Sequence, residues 1–210
     1  MSVSIDADVL GDLKHYFDTM PERTAKAASR AINQVMTRTG RKRIEDTIYS
    51  EVAFPKGYLN LPGRLDNTKF AKPEDLEAIM SARFRATSLA RFLAPGQNFA
   101  TSKTSGGVKV MVTPGRTQVL KKAFPIRLNA GDQNTETVNN MGLAVRLKKG
   151  DTLEGGKGIK LSSNGKTDLW LLYTVSVYQI FSRVADEQLD AIGTDVTQEF
   201  MRQFTLLENE

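Results

Sequence analysis

The sequence predicts an α+β fold, an antiparallel sheet of about five or six strands packed against long N-terminal and C-terminal helices. Three observations carry this. The stretch 104–149 holds three short apolar-and-basic runs of strand length, GGVKVMVT, KKAFPIRL and LAVRLKK. Asn164-Gly165 stands between two further apolar runs, the strongest short hairpin signal in the chain. Before and after the strand-rich part, apolar residues recur at three- and four-residue intervals, the spacing of amphipathic helices.

The elements follow in order. Asp6 or Asp8 can cap a short helix with Val9, Leu10, Leu13, Tyr16 and Phe17 on one face. Pro21 suits the first turn of a second helix, with Thr19 before it and Glu22 just inside. From there to about Ser50 one long helical stripe runs through Ala28, Ile32, Val35 and Met36 and continues in Thr39, Ile44 and Ile48. Gly40 interrupts it and implies a kink or a close packing contact. The stretch 54–72 is punctuated by Pro55, Gly57, Pro62 and Gly63 and reads as a linker or projecting loop. Glu77 to Ala86 alternates as a strand, although helical spacing can also be drawn through Leu76, Met80, Phe84 and Leu89.

In the central stretch, Val108, Val110 and Val112 share one face and Lys109, Met111 and Thr113 the other, a half-buried strand. Leu143, Val145 and Leu147 alternate in the same way with Ala144, Arg146 and Lys148. The three runs read as neighbours in one antiparallel sheet, with Phe124 as a core anchor. Polar, Gly-rich loops separate them at 101–107, 129–140 and 150–158. Asn164-Gly165 predicts a type I′ turn. The last element runs from about Ser176 to Leu207, with Val177, Phe181, Val184, Ile192, Val196, Phe200 and Phe204 in one stripe that should pack on the sheet. The expected organisation is one domain over 1–210: a helical part 6–51, a loop 52–75, a sheet core 76–175 and a C-terminal helix 176–208.

Composition narrows the chemistry. The chain has 210 residues, no cysteine and one histidine, so thiolate metal sites, disulfides and a cysteine nucleophile are excluded. His15 lies beside Tyr16 and Phe17 with no Ser or Asp spaced for a triad. Asn164-Gly165-Lys166-Thr167 imitates the end of a phosphate-binding loop, but Lys160 stands where its first glycine belongs. Gly155-Gly156-Lys157-Gly158 leads into no helix start and reads as a flexible loop. The expectation is a protein that is not an enzyme and has no cofactor and no metal site. No run is long enough to span a bilayer, and the acidic N-terminus is unlike a secretion signal, so a soluble protein made in the cytoplasm is expected.

Lys and Arg number 29 against 24 Asp and Glu, a net charge of +5. The densest basic cluster is RTGRKR at 38–43, too small for a dedicated duplex reader. Lys121, Lys122, Arg127 and Arg146 lie on or beside the central strands, so several could present one basic surface, and they are the candidate site residues.

The residues at 107–147 also carry a resemblance. A glycine-led strand (GVKVMVT), a basic turn running into an Ala-Phe pair (RTQVLKKAF) and a strand ending in arginine (LAVRL) resemble the minor tail protein Z family of long-tailed phages. The Ala-rich helix RTAKAASRAINQVMTRTGRKR and the apolar run LWLLYTVSVYQIFSRVADE leading into a terminal helix extend it over most of the chain. Where the family commonly has a Gly-Pro-Ser-like turn before the last helix, this chain has Thr174-Val175-Ser176. The resemblance implies a structural virion protein of the tail and neck, made in the host cytoplasm, that completes the head-proximal end of the tail so that head and tail join. It implies a homo-oligomeric ring, with tail terminator or tail tube proteins and head-tail connector proteins as partners. It allows weak, nonspecific contact with genomic DNA, and no membrane. The alternative reading is a nonspecific nucleic-acid-binding module using RTGRKR, Lys121 and Lys122.

Overall fold

The computed structural model describes residues 2–5, 21–99, 107–128, 141–153 and 157–208. The helix expected at 6–20 with His15, the loop 129–140 and nearly all of the 101–107 hinge lie outside the described residues. The fold is α+β, and its contacts group the chain into two compact units where the sequence suggested one domain. The first comprises 1–48, 57–84 and 177–210, and the second 49–56 and 85–176.

α1 (Pro21–Thr37), in the first unit, and α2 (Thr39–Glu51), whose last turn belongs to the second unit, replace the single long N-terminal helix. The break falls at Arg38, whose N–H still bonds to the carbonyls of Gln34 and Val35. Gly40 serves packing: a Cβ there would meet Val35 Cγ1 at 3.0 Å and the Val35 carbonyl at 3.1 Å. The Ala-rich face of α1, with Ala27, Ala28, Ala31 and Ile32 buried, packs along α3 (Val177–Glu208). Small side chains there let the two helices approach closely. The α3 stripe is buried as its spacing requires, with Phe181, Val184, Ile192, Val196, Phe200 and Phe204 all inside.

The partners of that stripe differ from expectation. Besides α1, α3 meets a three-stranded antiparallel sheet of β1 (Ser2–Ile5), β2 (Leu65–Lys69) and β3 (Ala78–Ala82), in the order β1-β3-β2. The strand expected at 77–86 is therefore real but shorter, and it belongs with β1 and β2 rather than with the central runs. The loop expected over 52–75 also contains structure. A 3-10 turn at Tyr58–Asn60 buries Tyr58 and Leu59, and β2 buries Leu65. Proline and glycine punctuate only the ends of these pieces. Polar side chains tie them down: Asn33 Nδ2 donates to the Ala71 carbonyl at 2.8 Å, while Asn33 Oδ1 accepts the Ala71 N–H at 2.8 Å.

The second unit carries a five-stranded antiparallel sheet. Its path is β4 (Thr87–Ser88), β10 (Thr167–Thr174), β8 (Met141–Lys148) and β7 (Ala123–Arg127), with β9 (Lys157–Ser163) pairing β10. β5 (Val108–Thr113) and β6 (Arg116–Leu120) form a separate hairpin. The three central runs are thus not neighbours in one sheet: GGVKVMVT pairs with the strand after it, and only the second and third runs are adjacent. They nevertheless share one core, in which Val108, Val110, Ala123, Leu143, Val145 and Leu172 meet. The segment 49–56 joins this unit through the Ala53 N–H to the Val112 carbonyl and through Phe54 against Phe92, 5.4 Å between ring centroids. Pro125 sits in β7, which pairs only with β8 among the described residues, an edge position where a missing N–H does least harm.

The β9–β10 hairpin forms where Asn164-Gly165 predicted it, with different geometry. Positive φ falls on Gly165 alone, at +83°. The two loop residues are Gly165 and Lys166, the type II′ arrangement in which only the first central residue is left-handed. Asn164 acts through its side chain: Oδ1 accepts the N–H groups of Thr167 at 2.8 Å and Lys166 at 3.2 Å.

Candidate functional site: a lysine-rimmed cleft

The turn at Lys121-Lys122 joins β6 to β7 and places both lysines, exposed, at the rim of an open cleft of about 580 Å³ within the second unit. The apolar runs on either side of the pair, Val119-Leu120 and Ala123-Phe124, enter strands and leave the two cations at the bend. Leu89, Leu120, Ala123, Val145, Leu153 and Leu172 supply the apolar wall, and Lys157 and Tyr173 stand with the two lysines as polar lining. Among the described residues neither Lys121 nor Lys122 makes an ion pair or hydrogen bond. An apolar cavity of this size with a few convergent charged groups is the usual form of a binding site. Its chemistry favours an occupant that is apolar in the middle and negative at the margin.

The other two candidate residues stand elsewhere. Arg127 ends β7 opposite Met141, and Arg146 lies in β8 opposite Leu169. Alternation along β8 puts Met141 and Arg146 on opposite faces, so Arg127 and Arg146 also face opposite ways. The Arg146 guanidinium lies over the Phe124 ring, 5.8 Å from its centroid. Phe124 is consequently half-buried on the face away from Ala123 and Val145, which corrects its expected place as a core anchor.

The RTGRKR cluster is partly engaged within the chain. Arg41 Nε donates to Glu45 at 2.7 Å and its Nη2 to Asn60 at 3.0 Å. Arg43 Nη2 reaches both carboxylate oxygens of Asp195, at 3.0 and 3.2 Å. Those two guanidiniums therefore have less to offer a phosphate backbone than the bare sequence suggested.

One charge pair steadies the β9–β10 hairpin. Asp168 on β10 is 3% exposed and takes the Lys160 ammonium of β9 at 2.8 Å. The Lys160 hydrogen bond, then one from Ser163, holds the Asp168 carboxyl below the usual aspartate range, against the upward push of burial.

Sequence reasoning found Lys121 and Lys122 but missed Lys157, Leu89, Leu153 and Leu172. Lys157 was read with its glycines as a flexible loop, although it opens β9. Leu153 is an isolated apolar residue in a polar stretch, a weak signal that the strand pairing turns into a wall. Among the described residues no helix is long and apolar enough to cross a membrane. No family model matches the chain, and neither a curated protein nor a solved structure does so.

Proposed function

We propose that the chain is a structural virion protein of a long-tailed phage, completing the head-proximal end of the tail so that head and tail join, as the minor tail protein Z family does. One observation carries the reading. The three motifs behind the resemblance, GVKVMVT, RTQVLKKAF and LAVRL, become β5, the β6–β7 turn and β8, and contribute Val108, Val110, Leu120, Ala123, Leu143, Val145 and Leu147 to a single core. Motifs that share a core constrain one another, which supports reading them together rather than as three chance matches. The protein's place is then the tail and neck of the virion, as a ring of like subunits. Its neighbours are tail terminator or tail tube proteins on one side and head-tail connector proteins on the other. A moderate positive surface in such a ring holds a DNA end by phosphate contacts that weaken with salt.

In vitro complementation tests the reading. Purified protein added to an extract lacking it restores infectious particles from finished heads and tails, and does so with divalent metal chelated. Rescue that depends on nucleotide turnover or on a metal would refute a purely structural role.

A further inference from the structure

We infer that the lysine-rimmed cleft of one copy receives the α3 segment around Leu189 of a second copy. This rests on the proposed ring and names the surfaces that would build it.

Leu189 is 44% exposed, a large apolar side chain facing solvent on an otherwise polar stretch of α3. Asp186 lies three residues before it and Asp190 one after, so the two carboxylates stand one helical turn apart, both on the same side of the leucine. Both residues are exposed. Glu187 beside them is already paired with Arg183 at 2.9 Å, whereas Asp186 and Asp190 make no ion pair among the described residues.

The cleft presents the complement: an apolar wall from Leu120, Val145, Leu153 and Leu172, and at its rim the ammonium groups of Lys121 and Lys122, which make no ion pair among the described residues. The Asp186–Asp190 pair, without an ion pair among the described residues, stands beside an exposed leucine. A leucine beside two carboxylates fits an apolar cleft edged by two lysines in size and in sign. Because the cleft and the ridge are different surfaces, the contact is heterologous, the kind that closes into a ring when its rotation permits. Opposed rim charges govern encounter and register, while the leucine in its pocket supplies the desolvated centre.

The test is charge reversal read by sedimentation velocity on the full chain, with circular dichroism confirming that each variant folds. Lys121→Glu/Lys122→Glu and, separately, Asp186→Lys/Asp190→Lys should each weaken self-association by about a hundredfold, since like charges then face each other across the contact. Combining all four substitutions in one chain restores opposite signs and should restore association. Leu189→Ala should weaken it with all charges intact. Wild-type chain that stays monomeric at high concentration overturns the inference, as does a fourfold variant no better than either pair, or two pairs that associate like wild type. Failure here is separable from failure of the tail reading: a monomeric protein that still rescues the deficient extract removes this interface and leaves the proposed function standing.

Discussion

Phe181→Ala and Phe124→Ala separate two kinds of aromatic burial. Phe181 is 1% exposed on the α3 stripe, next to Val177 and Val184, which are themselves fully buried. Truncation removes the ring and leaves a cavity between helix and neighbours, at a cost of about 3–5 kcal/mol. For a chain of this length each kcal/mol lowers the thermal midpoint by about 2–4 °C, so the fall is about 6–20 °C. Phe124 is half-buried, with the Arg146 guanidinium over its ring. Its truncation should cost roughly half as much, including about 0.5–1 kcal/mol of cation–π contact. Thermal unfolding followed by circular dichroism reports the helical first unit. Fluorescence of Trp170, the one tryptophan, reports the second. The expected result is a large loss in the dichroism midpoint for Phe181→Ala and a smaller loss, led by the fluorescence signal, for Phe124→Ala. Equal losses, or an unchanged Phe181→Ala protein, would refute the assignment of the two rings.

Acid should protonate Asp168 only below the ordinary aspartate range. Its carboxyl is held below the ordinary aspartate value, so the stability it contributes is fully present above that value and is lost as the pH falls through the lower, folded one. Below about pH 4 the wild-type midpoint should therefore fall more steeply with acid than that of Asp168→Asn, and parallel slopes would contradict this. Gly165→Val forces a branched side chain into a φ of +83° and should cost about 1–2 kcal/mol in urea unfolding, whereas Lys166→Val, where φ is not positive, should cost much less. Replacing Lys121, Lys122, Arg127 and Arg146 by Gln distinguishes a channel role from an interface role. Normal assembly with altered DNA retention supports the channel, and failed assembly supports the interface. A filter-binding titration of the unaltered protein that shows tight, steeply salt-dependent DNA affinity would favour the nucleic-acid-binding alternative.

The parts of the fold that were legible are those whose signal is local. The α3 stripe repeats over 32 residues, and a period sustained that long has one explanation. Pro21 marks the start of α1 because its missing N–H is harmless there. Asn164-Gly165 gave the hairpin, but not its type, since that depended on whether the Asn side chain would bond back to Thr167. Strand pairing was less accessible because it is non-local: nothing within AIMSA says that its partners are Ser2–Ile5 and Leu65–Lys69 rather than the central runs. β2 was hidden by the prolines and glycines around it and by its polar composition, its place being held by bonds such as Asn67 Nδ2 to the Met36 carbonyl at 3.1 Å. The cleft was half legible. Two adjacent lysines between apolar runs suggested a basic turn, while its walls come from Leu89, Leu153 and Leu172, residues far apart in the chain that only the folded unit brings together.

Electron microscopy of particles made without this protein tests the central claim most directly. Neither the capsid nor the tail tube would need its sheets or helices to form, so a phage lacking the gene should yield filled heads and tails of normal length that remain unjoined, or joined particles that fail to deliver DNA. Empty heads, the mark of a block in replication or packaging, would contradict the account.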